Sequence, residues 1–299
     1  MTAELKMLNN KILFIGAGSM AEALIRGLVT TSLIHPESIY AFNRNNPHRL
    51  KELQNQYQIQ IPGTDSDAER TRLVRAADII VLAMKPKDVG GALSEYREAI
   101  HDNQLIISVV AGLAIATIEQ LLGRPQAIAR TMPNTSATIG LGATGLAFSS
   151  SVNEQQRQQA LAIFQSVGLA VTIEERMLNL ITGLSGSGPA YVYYMMEAMI
   201  TAGVHGGLSV ADARALVLQT VLGAARMVEQ TGDAPDILRS RVTSPNGTTF
   251  AAIRVLENHS FQHAILQAIA RATDRAAEMG AEITASLAEP TDDSKKERS

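Results

Sequence analysis

The 299-residue chain contains no cysteine and no tryptophan, and between Lys87 and Lys295 it has no lysine. The missing cysteine excludes disulfides, Cys-ligated zinc or iron–sulfur sites, and a thiolate nucleophile. The lysine gap removes from most of the chain a base that hydroxy-acid dehydrogenases commonly use for the hydroxyl proton. Long apolar runs are missing too. Leu105 to Ile118 is the longest, and Ser108 and Gly112 interrupt it, so it reads as a buried strand and turn rather than a membrane span. The first ten residues carry Glu4 and Lys6 instead of a signal-peptide core, so a cytoplasmic protein is expected. Charge of either sign is not in excess, with 26 Lys+Arg against 29 Asp+Glu, and no nucleic-acid partner is expected. Six histidines are scattered. His259 and His263 stand four apart, but no third ligand is near in sequence, so no metal site is expected. What is left for chemistry is oxygens, a few imidazoles, backbone amides and a borrowed cofactor.

At roughly 150 residues per domain, the length predicts about two domains. The first half alternates strand and helix signals. Strands are predicted at Lys11–Ile15, Ile39–Asn43, Gln58–Ile61, Asp78–Ala83, Leu105–Val110 and Ala127–Thr131, then at Ala143–Phe148 and Leu169–Ile173. Helices are predicted at Ser19–Thr30, from Pro47 to about Gln56, at Asp88–Ile100 and at Asn153–Ser166. Strands separated by such helices imply βαβ units and a mostly parallel sheet, a Rossmann-type α/β domain over residues 1–173. From 174 to 285 only helices are predicted, at Gly188–Val204, Ser209–Thr231, Ala234–Arg241, Thr248–Asn258 and Ser260–Met279. Residues 286–299 read as a disordered polar tail. Tyr191 to Val204 carries one charge, Glu197, and Val210 to Val228 is apolar on more than one face. Helices without a polar face must be covered, and this segment is too small to cover them alone, so an intertwined homodimer is expected.

Gly16-Ala17-Gly18-Ser19-Met20-Ala21 follows the first strand and opens a helix, the setting of a dinucleotide-binding turn. The second strand ends in Asn43-Arg44 without the carboxylate that holds an NAD ribose. Arg44 suits a 2′-phosphate and Asn43 can donate to it, which predicts NADP(H) as the preferred cofactor with NAD(H) possible. Ala83, Met84, Lys85 and Pro86 end the fourth predicted strand, Val109, Val110 and Ala111 the fifth, and Asn134 follows the sixth. Ligands of open α/β sheets bind at such carboxyl ends. In the helical half, Ser185-Gly186-Ser187-Gly188-Pro189-Ala190-Tyr191 reads equally as a turn that lets helices approach and as a ligand contact. Val242 to Thr249 supplies hydroxyls, a Gly turn and unbonded N–H groups at a helix start, which suits a carboxylate.

These segments, IGAGSMAEA, LAMKP, SVVAG, RTMPNT, SGSGPAYVY and VTSPNGTT in this order, resemble those of pyrroline-5-carboxylate reductases from about Lys11 to Met279. The resemblance implies reduction of 1-pyrroline-5-carboxylate to L-proline by hydride from NAD(P)H, the last step of proline biosynthesis. It also implies a Rossmann domain joined to an all-helical dimerisation domain, with dimers often assembled into rings. Carried over, Ser244, Gly247 and Thr248 would hold the substrate carboxylate, and Thr249 would hydrogen-bond the ring nitrogen as the catalytic contact. The family usually has Pro-Gly-Gly where this chain has Pro245-Asn246-Gly247. Asn tolerates left-handed φ better than most residues, so the turn is expected to survive. A β-hydroxyacid dehydrogenase shares the layout but relies on a lysine that this helical half lacks. A non-catalytic dinucleotide sensor would keep the glycine turn and need no Ser/Thr loop.

Overall fold

The computed structural model describes residues 7–44, 46–63 and 66–288. By backbone contacts the chain divides into two compact units, 1–186 with 272–299, and 187–271. The contacts thin at Ser187, because the segment after the last strand stays bound to the sheet. There Arg130 donates to Glu175 at 3.0 Å, and Asn134 donates to the Ser185 carbonyl at 3.0 Å.

In the first unit the chain runs β1 (Ile12–Ile15), α1 (Ser19–Thr30), β2 (Ile39–Phe42), α2 (Pro47–Tyr57), α3 (Asp67–Ala76) and β3 (Ile79–Leu82). It continues through α4 (Pro86–Tyr96), β4 (Leu105–Ser108), α5 (Ile115–Leu122) and β5 (Ala127–Met132), then β6 (Gly142–Phe148), α6 (Glu154–Gln165), β7 (Gly168–Thr172) and α7 (Leu178–Ile181). The seven strands form one sheet in the order β2-β1-β3-β4-β5-β6-β7. All neighbours are parallel except β5 and β6.

β1, β3 and β4 are buried at every position. Helices cover both faces of a parallel sheet, so its central strands are uniformly apolar rather than alternating. One layer gathers Ile12, Phe14, Val81 and Ile107 with Leu24 and Phe164, and the other gathers Leu13, Ile80 and Ile106 with Val89 and Ile118. The strand predicted at Gln58–Ile61 reduces to a single bridge between Gln60 and Tyr40, since Gln58 at φ 58° ends α2 in a left-handed turn. α3 and α5 were not predicted.

α7 passes into a π-helical turn at Thr182–Gly186. The second unit holds α8 (Gly188–His205), α9 (Val210–Thr231), α10 (Pro235–Arg241), α11 (Thr248–Asn258) and the start of α12 (Phe261–Ala288). Ser209 caps α9, its hydroxyl accepting from Asp212 N–H at 3.1 Å. Among the described residues of this unit only Ala213 and Val217 are buried, while Tyr194, Leu216, Leu222 and Leu266 stand exposed. α12 runs on past Met279, and its C-terminal part belongs to the first unit. So 286–288, expected in a disordered tail, are helical, and the remainder of that tail lies outside the described residues. Among the described residues no helix is long and apolar enough to cross a membrane.

Candidate nucleotide cleft and substrate loop

The sheet order reverses between β1 and β3, and the crevice at such a switch point, beyond the strand carboxyl ends, is where doubly wound folds bind ligands. Gly16 leaves β1 here with φ +108°, and a Cβ on it would lie 2.3 Å from the Ala83 carbonyl oxygen. Only glycine fits, so the chain turns sharply between β1 and the end of β3. Gly18 is the N-cap of α1 in extended backbone, and a Cβ there would meet nothing within 4 Å. The space above Gly18 is therefore open to a ligand. The first helical bond of α1 runs from Glu22 N–H to Gly18 O at 3.0 Å, which leaves the earlier N–H groups of the turn, from Ser19 and Met20 onward, for an anion. Ala17 is buried beneath this turn.

Arg49 braces the loop from α2. Its Nε donates to the Ala17 carbonyl at 3.4 Å, and its guanidinium pairs with Glu52 at 3.0 Å and with Glu22. Those two carboxylates hold the Arg49 guanidinium above its ordinary pKa. Glu22 places a negative charge in the first turn of α1, and Arg49, with the Tyr57 hydroxyl donating at 3.2 Å, offsets it.

Beside the loop a shallow cleft opens to solvent, lined by Gly16, Asn43, Arg44, Met84, Asp88 and Tyr96 among others. It brings together candidates from the ends of β1, β2 and β3. The buried Tyr96 ring meets Phe42 edge-on at 5.7 Å, and burial pushes its phenol above the usual value. Ala83 is half-buried behind Gly16, and Lys85 is the exposed N-cap of α4, with Pro86 at the first helical position. Val109, Val110 and Ala111 leave β4 on the same edge. The next residue, Gly112, has φ +77° and lies against α12, a Cβ on it falling 3.0 Å from Gly280 N. Asn134 is 9% exposed, and its side chain is engaged on both ends, donating to Ser185 O and accepting from Ala143 N–H at 3.2 Å. It braces the turn at 182–186.

Arg49, Asp88, Glu95 and Tyr96 were not read from the sequence. Asp88, Gly91 and Glu95 share one face of α4 by helical spacing, but nothing local says that this face meets the end of β2. The residues present fit a dinucleotide: a glycine cradle that a Cβ would fill, open space at Gly18, a helix start, and one arginine in the cleft.

In the second unit, Ser244 to Gly247 form a turn closed by Gly247 N–H to Ser244 O at 3.0 Å. Asn246 takes φ 59°, so it does adopt the left-handed conformation expected of it. A Cβ on Gly247 would lie 2.6 Å from the Ser244 hydroxyl, so glycine keeps that oxygen uncovered. Gly247 is the N-cap of α11, and the first helical bond is Ala251 N–H to Gly247 O at 3.1 Å. The N–H groups of Thr248, Thr249 and Phe250 precede it. Ser244 and Thr248 are exposed and Thr249 is half-buried. His259 and His263 are exposed, and the described residues contain no cluster of three or more His, Asp or Glu placed to hold a metal ion.

The family profile described as pyrroline-5-carboxylate reductase dimerisation matches residues 175–279, and that of NADP oxidoreductase, coenzyme F420-dependent, matches 11–112. "Pyrroline-5-carboxylate reductase 2" of Bacillus subtilis is 45% identical over 256 residues, covering 86% of this chain and 90% of that protein. The chain belongs to the pyrroline-5-carboxylate reductase family. The pyrroline-5-carboxylate reductase of Escherichia coli is 35% identical over 87% of this chain and 94% of its own. Among solved pyrroline-5-carboxylate reductases, that of Coxiella burnetii superposes with a TM-score of 0.84 at 35% identity, covering 91% of this chain and 98% of that one. That of Plasmodium falciparum, with NADP bound, gives 0.81 at 31% identity, over 92% and 100%. The reductase dimerisation profile opens at residue 175, just beyond β7 at Thr172.

Proposed function

We propose that this member of the family reduces 1-pyrroline-5-carboxylate to L-proline, taking hydride from NADPH by preference and from NADH as a second donor. The observation that carries the reading is the presence, in one chain of this family, of a glycine turn at the sheet's switch point and a hydroxyl-bearing turn at the start of α11. Residues 1–173 serve the cofactor, and 174–285 serve the substrate and the homodimer. A cytoplasmic location belongs to the same proposal.

Gly16 and Gly18 admit the pyrophosphate to the N–H groups of α1, and Ala83 to Pro86 with Val109 to Ala111 form the adjoining rim. When bound, the nicotinamide supplies a hydride to the imine carbon, and the electron pair of the C=N bond becomes the nitrogen lone pair. The Ser244 and Thr248 hydroxyls and the first N–H groups of α11 hold the carboxylate. The Thr249 hydroxyl hydrogen-bonds the ring nitrogen and so orients it. A cyclic imine protonated in water needs little help from a base, which accords with a helical half without lysine. That same lack disfavours the β-hydroxyacid dehydrogenase alternative, and a nucleotide sensor has no use for the Ser244 to Thr249 turn. Rate then comes from positioning and electrostatics.

The test follows NADPH absorbance with pyrroline-5-carboxylate, and binding separately by nucleotide fluorescence. Thr249→Ala is expected to lower kcat at least about tenfold, since losing one well-placed hydrogen bond at the reacting group has effects of that order or larger. NADPH affinity should stay unchanged. No turnover by the unaltered protein rejects the reading, and loss of NADPH binding in the variant assigns Thr249 to the wrong pocket.

A further inference from the structure

Among the described residues that line the nucleotide cleft, Arg44 is the one cation. It is not waiting for a ligand. Its Nη2 is ion-paired with the Glu95 carboxylate on the last turn of α4. The guanidinium lies along that helix, and a Cβ added at Gly91, one turn before Glu95, would come 3.9 Å from Arg44 Nη1. Asp88, on the same face of α4, also lines the cleft. So the group best suited to a 2′-phosphate is already held by one carboxylate, and a second lines the same cleft. The Glu95 side chain is 25% exposed against 53% for Arg44. The carboxylate is thus the more sheltered partner, and water screens it less.

We propose that Glu95 sets the discrimination between phosphorylated and unphosphorylated nicotinamide dinucleotides by competing for Arg44. This rests on the reading of the cleft as the cofactor site. A phosphomonoester near pH 7 carries between one and two negative charges, and to reach Arg44 it must displace the Glu95 carboxylate or share the guanidinium with it at close range. A nucleotide bearing only a 2′-hydroxyl makes no such demand and leaves the pair intact. The pair therefore handicaps the 2′-phosphate form selectively and lets NADH remain usable although no acidic residue ends β2.

The probes are 2′,5′-ADP and 5′-AMP, which differ at the 2′ position and carry no nicotinamide. Their dissociation constants are measured by calorimetry on the full chain. Glu95→Gln removes the charge but keeps the shape. It is expected to tighten 2′,5′-ADP by about threefold to tenfold, the range an exposed pair plus a removed repulsion can supply, while 5′-AMP changes less than about twofold. Glu95→Asp, which keeps the charge, should stay near the unaltered ratio. In the double variant with Arg44→Ala the gain should vanish, because without the guanidinium there is nothing to compete for. An unchanged or weakened 2′,5′-ADP affinity in Glu95→Gln, or equal tightening of both nucleotides, overturns the proposal. If the unaltered protein binds neither nucleotide, the cofactor reading of the cleft falls and this inference falls with it. If both bind and only the ratio fails to move, the inference alone is lost.

Discussion

Two glycines two residues apart do different work, and a pair of substitutions separates them. Gly16→Ala combines a left-handed backbone with a Cβ 2.3 Å from Ala83 O, so β1 and β3 must part. Strain plus overpacking is expected to cost about 3 kcal/mol, or roughly 10 °C in Tm for a unit of this size. Gly18→Ala meets neither obstacle. Its Tm should move by less than about 2 °C, while NADPH affinity falls at least about tenfold because the Cβ enters the space the pyrophosphate needs. Thermal melts and a fluorescence titration check both. A Gly18→Ala protein that binds as before shows that the open space above α1 is not where phosphate sits. The roles of such residues were legible because glycine reports backbone geometry locally: Gly16 and the left-handed Asn246 could both be read from the chain alone. Glu95 and Arg49 could not. Each acts on a partner far away in sequence, Arg44 51 residues from Glu95 and Ala17 32 residues from Arg49, and only the sheet order puts them together.

At the scale of elements, legibility followed apolar content. The strands at 79–82 and 105–108 are continuous runs buried on both faces, and a window of sequence shows them. α3 (DAERTRLVRA) buries only Arg70, Leu73 and Val74, so its weak stripe did not stand out from a polar loop. The π turn at 182–186 was illegible for another reason: its sequence carries no local mark of the widened period, and the packing of Gly186 against Met132, with a prospective Cβ only 2.7 Å from the Met132 terminal methyl, joins residues far apart in sequence. The end of α12 was missed because its helical signal fades after Met279, whereas its docking depends on a remote glycine. Gly112 and Gly280 touch backbone to backbone, with a Cβ on Gly280 falling 2.8 Å from Gly112 O, and Thr117 shares a hydrogen bond with Thr284 at 3.2 Å. Gly280→Val is therefore expected to destabilise the first unit by about 1–3 kcal/mol. It should also speed amide exchange around Ala276 to Ile283 and disturb the neighbouring Val109–Ala111 turn. Exchange and Tm both unchanged would mean the contact is slack.

For the molecule as a whole, the contrast between the two units decides how it must exist in solution. The first unit closes two apolar layers over its sheet. The second buries only Ala213 and Val217 among its described residues and leaves Tyr193, Tyr194, Leu216, Leu218, Leu222, Met227, Val255 and Leu266 exposed. A patch of that extent on an isolated chain is an aggregation hazard, and at about 25 cal/mol per Å² its burial is the natural source of association energy. The dimerisation profile over 175–279 names the partner as a second copy. Each chain is 32.0 kDa, so light scattering at micromolar concentration should report about twice that mass. Leu222→Glu puts a charge in the middle of α9 on this face. An unpaired charge buried in an apolar interface costs several kcal/mol, enough to shift the population to the single-chain mass or to aggregates. Because folding of the helical unit is then linked to association, the melting midpoint of the unaltered protein should also fall on dilution, by roughly 1 °C per tenfold for a dimer of this size. A single-chain mass for the unaltered protein, with a midpoint independent of concentration, would leave these apolar helices without cover and would refute the homodimer.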